Sequence, residues 1–173
     1  MFNENDNVVY PGHGVARVDR IITKNVAGKN ISFFELRFIN KEMTILVPVS
    51  QAESVGLRSL SSLEYIEEIF SLLSMVDKEK DQKKIQTVNW NRRNKLYQQK
   101  LKSGNLYDIS MIYKDLKLLE QKKDLSFGEK QLLQVAEELL VEEMALVVQV
   151  KKDTMVNQLR LMTGSNQLHQ RSF

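Results

Sequence analysis

Apolar and polar positions along this chain change their period near residue 60. Before that point, short runs rich in Val, Ile, Phe and Thr dominate: NVVY (7–10), GVARVDRII (14–22), ISFFELRFI (31–39) and MTILVPV (43–49). These residue types fit a pleated surface. Val15, Val18 and Ile21 alternate with polar residues, though imperfectly. Turn signals separate the runs at Pro11-Gly12, AGKN (27–30) and NKE (40–42). Four or five short strands with tight turns predict a small antiparallel β barrel, with an open edge strand unless a partner covers it.

From Ser59 onward the spacing is helical. SSLEYIEEIFSLLSM (61–75) puts Leu63, Ile66, Ile69, Phe70 and Leu73 on one stripe, with Ser61 and Glu64 at capping-box spacing. Residues 76–88 are polar and read as a linker. WNRRNKLYQQKL (90–101) predicts a helix burying Leu96, Tyr97 and Leu101, closed by Gly104. A third helix uses Met111, Ile112, Leu116 and Leu119. A fourth opens at a Ser126/Glu129 capping box and runs through Leu133, Ala136, Leu140 and Met144. Beyond Lys151 the pattern weakens (Met155, Val156, Leu159, Met162) and then turns polar. The expected fold is therefore α+β: a barrel over 1–57, a helical bundle over 58–150 and a tail over 151–173 of unassigned role.

Composition narrows the chemistry. The 173 residues contain no cysteine, which excludes disulfides, thiol nucleophiles and thiolate metal sites. The start, MFNENDNVVY, is not a secretory signal. No apolar run approaches the roughly 20 residues that span a bilayer, so no membrane role is expected. The centre of VVYPGHGVARV (8–18) does not lead into a helix, as a phosphate-binding loop would. A catalytic or metal-binding His13 lacks a partner, since the other histidine is His169 in the tail. The stretch reads as a type II turn, with Pro11 presetting φ and Gly12 supplying a positive one. No cofactor, metal or enzymatic activity is expected.

The net charge of +3 is unevenly spread. Residues 1–57 carry six basic and six acidic side chains, whereas residues 78–102 carry nine basic and two acidic. That window is an electrostatic footprint for a polyanion or a solvated charged segment. It contains Lys83, Lys84, Arg92, Arg93 and Lys95, with the single tryptophan, Trp90, among them. From spacing alone, Trp90 is either a core residue or an aromatic wedge that stacks on bases while the basic groups neutralise phosphates.

The order and spacing of VVYPGHGVARV, of MTILVPV followed by AESVGLR, and of NWNRRNK, KSGN and LSFGEKQLL resemble the CarD/CdnL family of bacterial transcription regulators. The resemblance runs to about residue 150. It implies a Tudor-like barrel that binds the β subunit of RNA polymerase. It also implies a helical domain whose tryptophan wedges into promoter DNA at the upstream edge of the melted bubble and stabilises the open complex. Trp90 matches the wedge, Arg92 and Arg93 the basic pair after it, and Lys95 the next basic position; Lys83 and Lys84 extend the basic face. In the barrel, Lys24 matches a basic polymerase-facing position. Thr44 and Leu46 are expected polymerase contacts beside Lys24; Leu46 stands where many members have arginine, which implies a more apolar interface. A monomer in the bacterial cytoplasm, associated with polymerase and the nucleoid, is the matching expectation. The alternative is a free-standing architectural protein that binds DNA or RNA.

Overall fold

The computed structural model of the chain describes residues 1–75 and 89–164. It divides into two compact units, Met1–Leu60 and Ser61–Phe173. The first holds strands β1 (Asn7–Tyr10), β2 (Gly14–Val26), β3 (Lys29–Phe38), β4 (Thr44–Pro48) and β5 (Arg58–Ser59), with a 3-10 turn at Val49–Gln51. They form one antiparallel five-stranded sheet in the order β4-β3-β2-β1-β5, which leaves β4 and β5 at its two ends.

The imperfect alternation of β2 has a structural cause. Its register against β3 shifts between Val18 and Arg20, as a β-bulge requires. Ala16 and Val18 are buried before the bulge, and their face continues three residues on at Ile21, which pairs with buried Phe34. The core of this unit gathers Val8, Ala16, Val18, Phe34, Leu36, Phe38, Val47, Ala52 and Leu57. The hairpin joining β2 to β3 has two residues, Ala27 and Gly28, both at positive φ (50° and 80°). Those are the signs that match the twist of the flanking strands. The turn at Pro11-Gly12 is as expected: Gly12 sits at φ 75° and the His13 N–H donates to the Tyr10 carbonyl. The His13 ring is exposed and lies edge-on to Tyr10 and Phe38.

The unit extends to Leu60 rather than stopping at 57, because Arg58 and Ser59 pair with Val9 and Val8 of β1.

The second unit contains, among the described residues, helices α1 (Leu63–Ser74), α2 (Trp90–Ser103), α3 (Leu106–Glu120), α4 (Phe127–Val148) and α5 (Lys152–Gly164). Helix α4 packs along α3 and also meets α1 and α5. Leu132, Ala136, Leu140 and Met144 are buried with Leu139, Val141 and Ala145 on adjoining faces, so it meets neighbours on several sides. The same core takes in Ile66, Ile69 and Leu73 of α1, Tyr97 and Leu101 of α2, and Ile109, Ile112, Tyr113 and Leu116 of α3.

Three expectations are corrected here. Helix α1 is capped by Ser62, whose hydroxyl accepts from the Tyr65 N–H, and not by Ser61. The Ser61 N–H and hydroxyl instead donate to buried Glu143 of α4, at 2.9 and 2.7 Å. Leu96 is 48% exposed, because the buried stripe of α2 runs through Arg93, Tyr97 and Leu101. Residues 152–164, read as part of a tail of unassigned role outside the bundle over 58–150, form α5, and Met155 and Leu159 are fully buried in the core of this unit. The Arg160 guanidinium pairs with Glu137, which also accepts from the Tyr113 hydroxyl, so α5, α4 and α3 share one polar network.

Candidate nucleic-acid interface

Helix α2 begins where Asn89 caps it, its side chain accepting from the Asn91 N–H. It ends at Gly104, which adopts the left-handed conformation (φ 67°) that a side chain resists. The cap fixes Trp90 as the first helical residue. There a side chain has helix on one side only, and Trp90 is accordingly half-buried, resting against the edge of the core.

Two groups hold its ring. The Arg93 guanidinium carbon lies 5.4 Å from the ring centroid, one turn along α2, within cation–π range. Gly128, in the first turn of α4, meets the ring so closely that a Cβ on it would stand 3.0 Å from Trp90 Cζ2. Arg93 is itself fixed. It is 9% exposed and donates to the Glu129 carboxylate at 2.6 Å. Glu129, almost fully buried, also accepts from the Lys123 ammonium and from the Ser126 backbone N–H, and the Ser126 hydroxyl accepts from the Glu129 N–H. Burial works against the Glu129 charge. The Ser126 N–H, the Lys123 ammonium and the Ser126 hydroxyl outweigh it and hold the carboxyl below the usual range.

The basic positions thus separate into two kinds. Arg92 and Lys95 are exposed and carry no ion pair among the described residues. Arg93, expected to share the phosphate-binding role, is turned inward onto Glu129 and Trp90, because position 93 falls on the same helical stripe as Tyr97 and Leu101. Arg92 and Arg93 also sit in the first turn of α2, the positive end of the helix dipole, which has no acidic residue. Cations there lose about 0.3–1 kcal/mol each. Glu129 offsets that for Arg93, while Arg92 has no such partner among the described residues. Lys83 and Lys84 lie outside the described residues.

Sequence reasoning passed over Phe127. It is the first residue of α4, next to Gly128, and 78% exposed. Its signal is a bulky aromatic that follows a serine cap at a position pointing away from the core stripe. Lys130 is exposed one turn further on. A partly exposed indole, an exposed phenyl and cations without an ion pair among the described residues, around two helix starts, make a surface suited to stacking and phosphate contact.

In the first unit, the β2–β3–β4 register puts Lys24, Ile22 and Arg20 on one face with Ile31, Phe33, Glu35 and Arg37, and with Thr44, Leu46 and Pro48. Lys24, Thr44 and Leu46 are all exposed, and Leu46 and Thr44 lie on the edge strand. Leu46 stands opposite Glu35, which is bound to Arg20.

Residues 2–61 match the CarD-like/TRCF RID domain family, and residues 68–160 match the CarD C-terminal domain family. The chain belongs to the CarD/CdnL family. Members of this family are transcription factors and not enzymes, and its N-terminal module is an RNA polymerase-interacting domain. The Bacillus subtilis (strain 168) transcription-factor candidate YdeB is 24% identical over 147 residues, covering 85% of this chain and 92% of YdeB. The solution structure of the N-terminal domain of Myxococcus xanthus CarD is 34% identical, over 34% of this chain and 79% of that one, with a TM-score of 0.30. The Myxococcus xanthus CdnL N-terminal structure is 42% identical, over 34% and 83%, also at 0.30. The CarD C-terminal match reaches residue 160 and so takes in most of α5.

Proposed function

We propose that this chain is a transcription regulator that binds the β subunit of RNA polymerase through the β2–β3–β4 face of its first unit. In this reading it touches promoter DNA at the upstream edge of the bubble with Trp90, Arg92 and Lys95, and so prolongs the open complex. The observation that carries this reading is Trp90: partly exposed at a helix start and backed by α4, on a helix whose exposed Arg92 and Lys95 carry no ion pair among the described residues. Phe127 and Lys130 extend the same surface, and Lys83 and Lys84 remain candidates for it.

The first unit supports a protein partner rather than nucleic acid. Its side chains balance in charge over residues 1–57, and Leu46 and Thr44 lie on an edge strand whose backbone can add a partner's strand. Holding the chain on polymerase raises the effective concentration of the DNA-contacting unit, so modest DNA affinity suffices. A cytoplasmic chain acting as a monomer fits this arrangement. The test is capture of purified β subunit by the full chain. Leu46→Glu should abolish capture, since it sets a second carboxylate beside Glu35, while Trp90→Ala should leave it intact. Capture that survives Leu46→Glu, or no capture at all, favours the free-standing architectural reading.

A further inference from the structure

We propose that Glu129 and Gly128 are positioning residues for Trp90, acting from the capped start of α4 to preform the indole for DNA. The inference rests on the DNA-contact reading of Trp90. Two supports of different kinds hold Trp90. One is the Arg93 guanidinium, which is buried and bound to Glu129. The other is the α4 backbone at Gly128, where an added Cβ would stand 3.0 Å from Trp90 Cζ2, so that the ring would have to shift to admit it. Both supports come from adjacent residues of one turn, and the Ser126–Glu129 capping box sets that turn. The capping carboxylate therefore has two tasks: it closes the start of α4 and it anchors the cation that covers the ring. A wedge held in one orientation before it meets DNA does not lose that freedom on binding, which strengthens the contact without adding to it.

The sequence carries the same device. Gly128 occupies the second position of a helix, where alanine has the higher intrinsic propensity. A glycine there costs helix stability and gains only space, and the atom that uses the space is Trp90 Cζ2.

Trp90 is the only tryptophan, so its fluorescence reports this ring alone. Gly128→Ala and Gly128→Leu, made in the full chain, form a graded series that leaves the ion pair untouched and favours the helix. Glu129→Gln retains an acceptor for the capping box but removes the charge opposite Arg93. Each variant is checked for fold by circular dichroism, then for acrylamide quenching of Trp90, and then for affinity toward a forked duplex with an unpaired edge. The positioning role predicts that quenching rises and affinity falls in the order Ala then Leu, by about two- to tenfold, with an unchanged salt slope. Glu129→Gln should behave like the Gly128 variants. Trp90 signals that change while forked-duplex affinity holds would overturn the proposal, as would affinity that falls only when the fold is lost. Trp90→Ala separates the two levels. If it does not weaken binding, the DNA reading fails and positioning fails with it. If it weakens binding while all three supporting variants bind normally, positioning alone fails.

Discussion

At the scale of single residues, the two arginines after Trp90 illustrate how neighbours in sequence acquire different work. Arg92 points to solvent without an ion pair among the described residues, and Arg93 is locked to Glu129 beneath the indole. Their alanine variants should therefore differ in kind. On duplex DNA, every phosphate that a side chain neutralises adds about 0.9 to the steepness of log K against log salt. Arg92→Ala and Lys95→Ala should flatten the slope by up to that amount each, with melting temperature nearly unchanged. Arg93→Ala should leave the slope alone and destabilise the second unit by on the order of 3 kcal/mol, because Glu129 loses its buried partner. Titrations at several salt concentrations, paired with thermal melts, check both. A slope that flattens with Arg93→Ala would put that side chain on DNA after all. By charge alone, 92 and 93 are equivalent in the sequence. The division between them comes from helix phase and from Glu129, 36 residues away.

At the scale of elements, local signals are legible where the deciding contacts are local. The Pro11-Gly12 turn, the Gly104 terminator and the Ser126–Glu129 box each depend on a few consecutive residues, and each appears as read. The sequence misleads where a distant group competes. Ser61 has capping spacing, but Glu143 of α4 claims its donors and Ser62 takes the cap. Leucine at position 96 suggests burial, because leucine usually is buried. Yet the inner stripe of α2 is already occupied by Arg93, whose burial depends on Glu129. The Ser126–Glu129 box also gives this element a pH signature. Against the effect of burial, the Ser126 N–H and the Lys123 ammonium hold the Glu129 carboxyl below its ordinary value of 4.5. Its charged form therefore stabilises the folded unit above that pH, and the contribution is lost as pH falls through the lower folded-state value. Melting temperature should drop on acidification below about pH 4, and the drop should be shallower in Glu129→Gln than in the parent chain. Identical acid limbs would mean that the carboxylate contributes no linked stability.

At the scale of the whole molecule, two units carry two cores, and the change of period near residue 60 marks their boundary to within a few residues. The reach of the second unit is less legible, since α5 has a weak apolar stripe. Its two anchors, Met155 and Leu159, are fully buried, while polar residues surround them. Full burial of each such side chain is worth about 1.5–3 kcal/mol. A chain ending at Val150 should therefore lose several degrees of melting temperature in the second unit, and β-subunit capture should persist. An unchanged melt would mean that α5 contributes little to that core.

The central claim is that Trp90 acts on DNA and is not merely packed, and one variant tests it. Trp90→Ala should cost roughly 1–2 kcal/mol of stability, below the 3–5 kcal/mol typical of a core aromatic, because the ring is only half-buried. Losing its stacking on bases, about 1–3 kcal/mol, should shorten the lifetime of the promoter open complex about 5- to 150-fold. The lifetime is to be measured with purified polymerase, at a temperature where the variant is fully folded and still bound to the β subunit. A shortened lifetime under those conditions is the result this account predicts. A lifetime equal to that of the parent chain would contradict it and leave Trp90 as packing.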